Sequence, residues 1–169
     1  MLAFFLTPGP GFATSLTGQV VGVSDGDTVT LLDADQNQHK IRVSGIDSPE
    51  KAQAFGERSK QNLARLVFGK QIEVQWHKHD RYGRIVGKVL VADAGCKTTD
   101  CPKTVDAGLR QITAGLAWWY RDYAKEQSNE DAQRYRLAEE EARSRGVGLW
   151  TAGTEPTPPW EWRKGKNQL

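Results

Sequence analysis

Two cysteines and three histidines are the only thiol and imidazole donors in this 169-residue chain. A zinc centre needs about four such ligands. Cys96 and Cys101 lie on a different segment from His77 and His79, so the sequence argues against one. No apolar run approaches the ~18 residues of a membrane span. Helix-turn-helix, zinc-finger and basic-zipper patterns are all missing, which excludes sequence-specific base reading by those modules. There is no internal repeat and no linker that would divide the chain. A one-sided charge is lacking too: 23 Lys and Arg against 21 Asp and Glu leave a net charge of +2.

With 38% hydrophobic and 26% charged residues, the chain reads as one soluble globular domain. Its length suffices for a core without metal or disulfide staples. The placement of charge is more telling than its sum. Between His39 and Lys88 stand eleven Lys and Arg against five Asp and Glu. Such a basic stripe suits a polyanion, because neutralised phosphates release counter-ions; the alternative is a solvated charged face. At the start, Leu2-Ala3-Phe4-Phe5-Leu6 is apolar and Gly11-Phe12-Ala13 offers small residues at a cleavage-like spacing. Residues 1–13 are therefore expected to be a signal-peptide remnant, the alternative being a disordered tail. Cys96 and Cys101, separated by four residues, are expected to close a disulfide loop, with free thiols or zinc as the alternatives. Both features imply a secreted or periplasmic protein.

Gly18–Val23, Thr28–Leu32 and His39–Val43 alternate like strands joined by polar turns. A helix is predicted over 56–68, from Leu63, Leu66 and Val67. Strands at 71–76 and from Arg84 to about Ala92 follow. Val105, Leu109, Ile112 and Leu116 predict a second helix, and Ala132, Tyr135, Ala138 and Ala142 a third. This is the element order of an α+β fold: a five-stranded OB-type β-barrel with three α-helices, the domain covering residues 18–150. The tail, residues 151–169, is rich in Pro and Trp. Its Pro156-Thr157-Pro158-Pro159 run is expected to be irregular, with Trp160 and Trp162 folding back onto the domain.

Several pieces carry chemistry. Asp25-Gly26-Asp27-Thr28 and Asp47-Ser48-Pro49-Glu50 are, each alone, ordinary turns. Arg42 between Ile41 and Val43, and Arg84 after the Tyr82-Gly83 turn, could each be surface charges. Together they supply oxygen donors for a hard cation and planar guanidiniums for a phosphate. His77 and His79, on a strand end, read as solvated, and Trp76 and Trp150 as core or interface fillers.

These motifs, with Ile41-Arg42-Val43-Ser44-Gly45-Ile46-Asp47, Asp80-Arg81-Tyr82-Gly83-Arg84, Val105-Asp106-Ala107-Gly108-Leu109, Gly115-Leu116-Ala117 and Gly148-Leu149-Trp150, stand in the order of the staphylococcal nuclease family, which the chain resembles from about Gly18 to Trp150. The resemblance implies a single Ca²⁺ site with Asp27, Asp47 and the Ser48 carbonyl as ligands. It implies Glu50 as general base or water-positioning group, and Arg42 and Arg84 as a clamp on the scissile phosphate. Tyr82 and Tyr123 would lie near the bound nucleotide. It further suggests hydrolysis of both DNA and RNA to 3′-phosphate ends by a monomer that associates with no membrane. Basic and aromatic residues together favour single strands. Three departures from the family pattern stand out: Ser48 replaces a threonine, the stretch after Glu50 is short, and Arg121 occupies the place of a nucleotide-contacting tyrosine, so base stacking is expected to be remodelled. The competing function is a single-strand-binding OB module that does not cut; a structural calcium-binding protein is a third, against which both arginines argue.

Overall fold

The computed structural model describes residues 14–98, 100–153 and 155–166. Strands β1 (Thr14–Val23), β2 (Thr28–Leu32) and β3 (Gln38–Val43) form a meander, followed by the two-residue strand β4 (Ile46–Asp47) and helix α1 (Gly56–Val67). Strands β5 (Gln71–His79), β6 (Ile85–Ala92) and β7 (Lys103–Asp106) lead into helix α2 (Ala107–Thr113). The short strand β8 (Trp118–Trp119), helix α3 (Asn129–Ser144) and helix α4 (Pro159–Lys166) complete the chain, with 3-10 turns at Arg121–Glu126 and Gly148–Gly153.

The sheet order is β3-β2-β1-β5-β6-β7, and a parallel pairing of β3 with β6 closes five of these strands into a mixed barrel. Closure removes the open edges that would otherwise invite pairing with other chains. Alternation along the strands fills the interior with Val20, Val29, Leu31, Ile41, Val43, Ile72, Val74, Ile85, Val89 and Val91. Leu63 and Val67, one helical turn apart on α1, seal one end of that core, as do Ile112 of α2 and Tyr135 of α3. A second, smaller cluster joins Trp118, Ala142, Leu149 and Trp150.

The α+β barrel matches the sequence expectation, while the described residues form four α-helices where three were expected. Val105, expected on the second helix, lies in β7 and pairs with Val91. That helix begins only at Ala107, where the Asp106 carboxylate accepts the Leu109 N–H at 3.0 Å, and ends before Leu116. Pro156, Thr157 and Pro158 are irregular as expected, but the last proline of the run is helical. Pro159 occupies the first helical position of α4, where its missing N–H costs nothing and its fixed φ suits the helix. Cys96 and Cys101 are disulfide-bonded. The expected signal remnant, residues 1–13, lies outside the described residues.

One buried polar hub sets the turn between β1 and β2 against the helices. Gln111 of α2, fully buried, donates to the Gly26 carbonyl at 2.7 Å and to the Ser59 carbonyl at 3.0 Å, while its own carbonyl accepts from Asn62 at 2.6 Å. Gly26 fits there because any Cβ would lie 1.9 Å from the Ser59 hydroxyl oxygen and 2.7 Å from Ser48 Cβ. The hub thus fixes both acidic turns, since Asp27 follows Gly26 directly and Ser48 follows Asp47. Replacing Gln111 by Leu strips partners from Gly26, Ser59 and Asn62 inside the protein. Chemical denaturation should show a loss of about 2–3 kcal/mol, the cost of buried polar groups left unpaired.

Candidate active site

Arg42 is placed by strand alternation: Ile41 and Val43 enter the core, so the side chain between them leaves the barrel wall on the other side. There its guanidinium lies between two buried carboxylates, with Nη1 3.0 Å from Asp27 Oδ2 and Nη2 3.0 Å from Asp47 Oδ1. Asp27 comes from the β1–β2 turn, and its backbone carbonyl accepts the Val43 N–H at 2.8 Å, tying the turn to the end of β3. Asp47 is the second residue of β4, held by antiparallel pairing with Trp118 of β8. Ser48 secures Asp27 directly, its backbone N–H and its hydroxyl each donating to Oδ2 at 2.8 Å.

Arg84 joins the same network from the residue just before β6. Its Nε donates to Asp80 Oδ2 at 2.7 Å, and its Nη1 lies 3.5 Å from the Thr28 hydroxyl, which in turn donates to Asp27 Oδ1 at 3.0 Å. Glu50 sits at the mouth, with its backbone N–H on the Gln53 side-chain carbonyl at 3.0 Å. The five acids and arginines singled out from the sequence, Asp27, Arg42, Asp47, Glu50 and Arg84, therefore line one cleft of about 630 Å³, together with Ser48. Tyr82 and Tyr123 line it too and are both exposed. Arg81 and Arg84 approach the Tyr82 ring, at 4.8 and 5.5 Å from its centroid, and the Tyr120 and Tyr123 ring centroids are 4.7 Å apart.

Other residues fall differently from expectation. Arg121 turns away to the buried Glu139 at 3.1 Å, while Tyr120 takes a place on the cleft. His77 is exposed on β5, and His79 packs edge-on against Trp76 with ring centroids 5.0 Å apart. Two cleft residues escaped the sequence reading. Asp25, taken as a turn former, does accept the Asp27 N–H at 3.1 Å, yet its carboxyl also faces the cleft. Arg163, on α4, reaches Asp47 and Glu50, each at 2.7 Å. Nothing in the Trp160-Glu161-Trp162-Arg163-Lys164 stretch signals that role, because only the fold brings it near Asp47.

The charge balance explains the titration behaviour. Burial pushes Asp47 above the usual carboxylate range despite hydrogen bonds from Arg163 and the charge of Arg42. Asp27 feels burial most strongly as well, but Arg42 and the Ser48 N–H outweigh it and hold its carboxyl below that range. Asp25 has no guanidinium of its own. Burial and the neighbouring Asp27 charge raise its pKa to about 6.

Among the described residues, no three His, Cys, Asp or Glu side chains converge as a ready-made metal-holding group. The donors that do face the cleft, Asp25, Asp27, Asp47 and Glu50, are all carboxylates. An all-oxygen set with few protein ligands fits a hard cation that completes its shell with water, and does not fit zinc. Two guanidiniums, Arg42 and Arg163, already pair with three of these acids, Asp27, Asp47 and Glu50.

A raised pKa in an acid means that the protonated form stabilises the fold. The Asp25 contribution is complete below its ordinary value of 3.8 and is lost as pH rises through about 6. Asp25→Asn keeps an acceptor for the Asp27 N–H and removes the ionisation. Its stability relative to the parent chain should therefore rise by about 1–2 kcal/mol between pH 4 and pH 7.5, as read by denaturant titration at each pH.

Sequence comparison identifies related proteins. Residues 40–152 match the family described as "Staphylococcal nuclease homologue". The chain is 39% identical over 166 residues to "Protein ParB" of Escherichia coli, covering 98% of this chain and 89% of that protein. It is 37% identical over 155 residues to "Micrococcal nuclease" of Shigella flexneri, covering 87% and 80% respectively. It is 35% identical over 165 residues to an "Uncharacterized endonuclease" of Escherichia coli, covering 98% and 96%. With both carboxylates, both arginines and Glu50 facing one cleft of a closed barrel, the chain belongs to the staphylococcal nuclease family.

Proposed function

We propose that this nuclease is Ca²⁺-dependent, hydrolyses phosphodiester bonds in both DNA and RNA without reading base sequence, prefers single strands and leaves 3′-phosphate ends. The observation that carries this reading is the Arg42 guanidinium shared between Asp27 and Asp47, with Arg84 linked to Asp27 through Thr28. A module that only binds single strands needs basic and aromatic surface. It has no use for buried carboxylates held beside guanidiniums.

Asp27, Asp47 and the Ser48 carbonyl would hold the ion, the two carboxylates being fixed by Ser48 and by the β4–β8 pairing. An ion held there would supply positive charge beside the phosphoryl oxygen and would make a water molecule more acidic. Glu50 accepts a proton from the attacking water as the water oxygen bonds to phosphorus; the P–O5′ bond breaks, the departing 5′ oxygen takes up a proton from solvent, and the phosphate stays on the 3′ side. Arg42 and Arg84 donate to the equatorial oxygens, whose negative charge grows toward the transition state, so these bonds strengthen as the reaction proceeds. Lysine at either position would lack the planar fork. Tyr82 and Tyr123 offer ring faces to unstacked bases on either side of the scissile phosphate. This selects flexible strands over a rigid duplex.

The protein is no candidate for a helical membrane anchor within its described residues: no helix there is long and apolar enough to cross a membrane. We place it in an oxidising compartment, a reading supported by the Cys96–Cys101 disulfide. Thiol titration of denatured protein recovered from its host should find no free sulfhydryl, and two titratable thiols would reject that location.

Incubation with single-stranded DNA or RNA should give cleavage with Ca²⁺, little with Mg²⁺, and none with chelator. Activity that survives chelation defeats the cation assignment, and RNA left intact removes the sugar tolerance. Glu50→Gln should lower turnover by about 10²–10⁴-fold while single-strand binding in the presence of Ca²⁺ persists. Unchanged cleavage takes Glu50 out of the mechanism.

A further inference from the structure

Arg163 arrives at the cleft on a helix seated beside it. Trp160 of α4 stacks on Tyr120, with ring centroids 5.6 Å and planes 4° apart, and meets Trp118 edge-on at 6.3 Å. The Gln53 side chain, on the segment that follows Glu50, donates to the Thr157 carbonyl at 2.6 Å, so the approach to α4 is tied to the mouth of the cleft. From the next turn of this helix the Arg163 fork reaches inward. Nη2 donates to Asp47 Oδ2 at 2.7 Å, and Nη1 donates to Glu50 Oε1 at 2.7 Å and to Asp47 Oδ1 at 3.3 Å.

The oxygens so engaged are the ones a cation would need. Asp47 Oδ1 faces both Arg42 and Arg163, and Asp47 Oδ2 faces Arg163. Asp27 Oδ2 carries Arg42 and two donors from Ser48. A divalent ion can therefore bind Asp47 fully only if a guanidinium withdraws. The two arginines are not equally free to do so. The Arg42 side chain is 14% exposed and grows from barrel strand β3, whereas that of Arg163 is 42% exposed and grows from an eight-residue helix outside the barrel.

We infer that Arg163 is a built-in counter-ion of the cation site, pairing with Asp47 and Glu50 until a divalent ion displaces it, and thereby setting the cation affinity of the nuclease. The inference rests on the reading of Asp27 and Asp47 as cation ligands. Its physical basis is mutual exclusion: one guanidinium and one cation compete for the same carboxylate oxygens. Cation affinity is then reduced by the fraction of molecules in which Arg163 is in place. The coupling runs both ways, so the cation must also loosen α4 from the mouth. While Arg163 is seated, it engages both Asp47 oxygens and Oε1 of Glu50, so the cation ligand and the base are held by the same guanidinium.

Calorimetric titration with Ca²⁺ alone, with no nucleic acid present, tests this on the full chain. Arg163→Ala should bind Ca²⁺ at least about fivefold more tightly than the parent, the gain reporting how often the guanidinium occupies the site. Trp160→Ala keeps every charge and loosens the helix, so it should shift the affinity in the same direction. Lys78→Ala removes a positive charge from the same cleft, where Lys78 pairs with Glu126 and not with Asp47, and should change the affinity by no more than about twofold because its effect is partly screened. Hydrogen exchange of the parent chain should accelerate over 159–166 when Ca²⁺ is added. An Arg163→Ala affinity equal to or weaker than the parent's, or a gain matched by Lys78→Ala, overturns the inference. Asp47→Asn separates the two levels. Ca²⁺ binding that Asp47→Asn abolishes but Arg163→Ala leaves unchanged refutes the counter-ion alone, whereas binding untouched by Asp47→Asn refutes the cation site and the counter-ion with it.

Discussion

Two buried carboxylates, Asp27 and Asp47, share one cleft because the Arg42 guanidinium stands between them at 3.0 Å from each. Taking like charges out of water costs far more than leaving them exposed, and a buried charge is tolerated only when it is paired and hydrogen-bonded. Arg42 supplies the pairing, and Ser48 and Thr28 supply hydrogen bonds to Asp27. The same arrangement prepares a site for a cation and a phosphate: the acids are already held in place, and the guanidinium is already aligned. Stability and function thus draw on one electrostatic cluster, which is why acids and arginines alternate through it.

The barrel makes that cluster possible by holding its parts on separate but rigid elements. Arg42 lies on β3, where the parallel pairing with β6 closes the sheet, and Arg84 immediately precedes β6, so closure brings the two arginines to one side of the wall. Asp47 depends on the short β4–β8 pairing, and therefore on the Trp118 segment that follows α2. Gln111 ties the Gly26 turn to α1 from inside. Helices that look like mere cover for a sheet thus set the position of the acidic turns. The C-terminal helix adds the last piece, since Trp160 packs on Tyr120 and carries Arg163 to the mouth.

Much of this was legible because local chemistry and chain order agree. The strands alternate, Asp25-Gly26 and Tyr82-Gly83 mark turns, and an arginine between Ile41 and Val43 must face away from the core. The failures have equally definite causes. Val105 has apolar spacing compatible with a helix, but its ladder partner Val91 decided for a strand, and a pairing partner is not visible in a local pattern. The proline run suggested irregular structure throughout, although proline is disfavoured in a helix interior and welcome at its first turn, where Pro159 stands. Asp25 looked like a turn residue and is one, but its raised pKa comes from burial and from Asp27, and burial is a property of the folded state.

The amino-acid sequence by itself determined the barrel class, the identity of the acids and arginines, and the side of β3 from which Arg42 projects, because each follows from side-chain chemistry and the two-residue period of a strand. Only the tertiary structure decided that Arg163, 116 positions beyond Asp47, closes an ion pair with it. It also decided that Arg121 turns toward Glu139 and that Gln111 holds the turn before Asp27. These contacts join residues far apart along the chain. They depend on where the barrel and its helices place those residues in space, which no local pattern encodes.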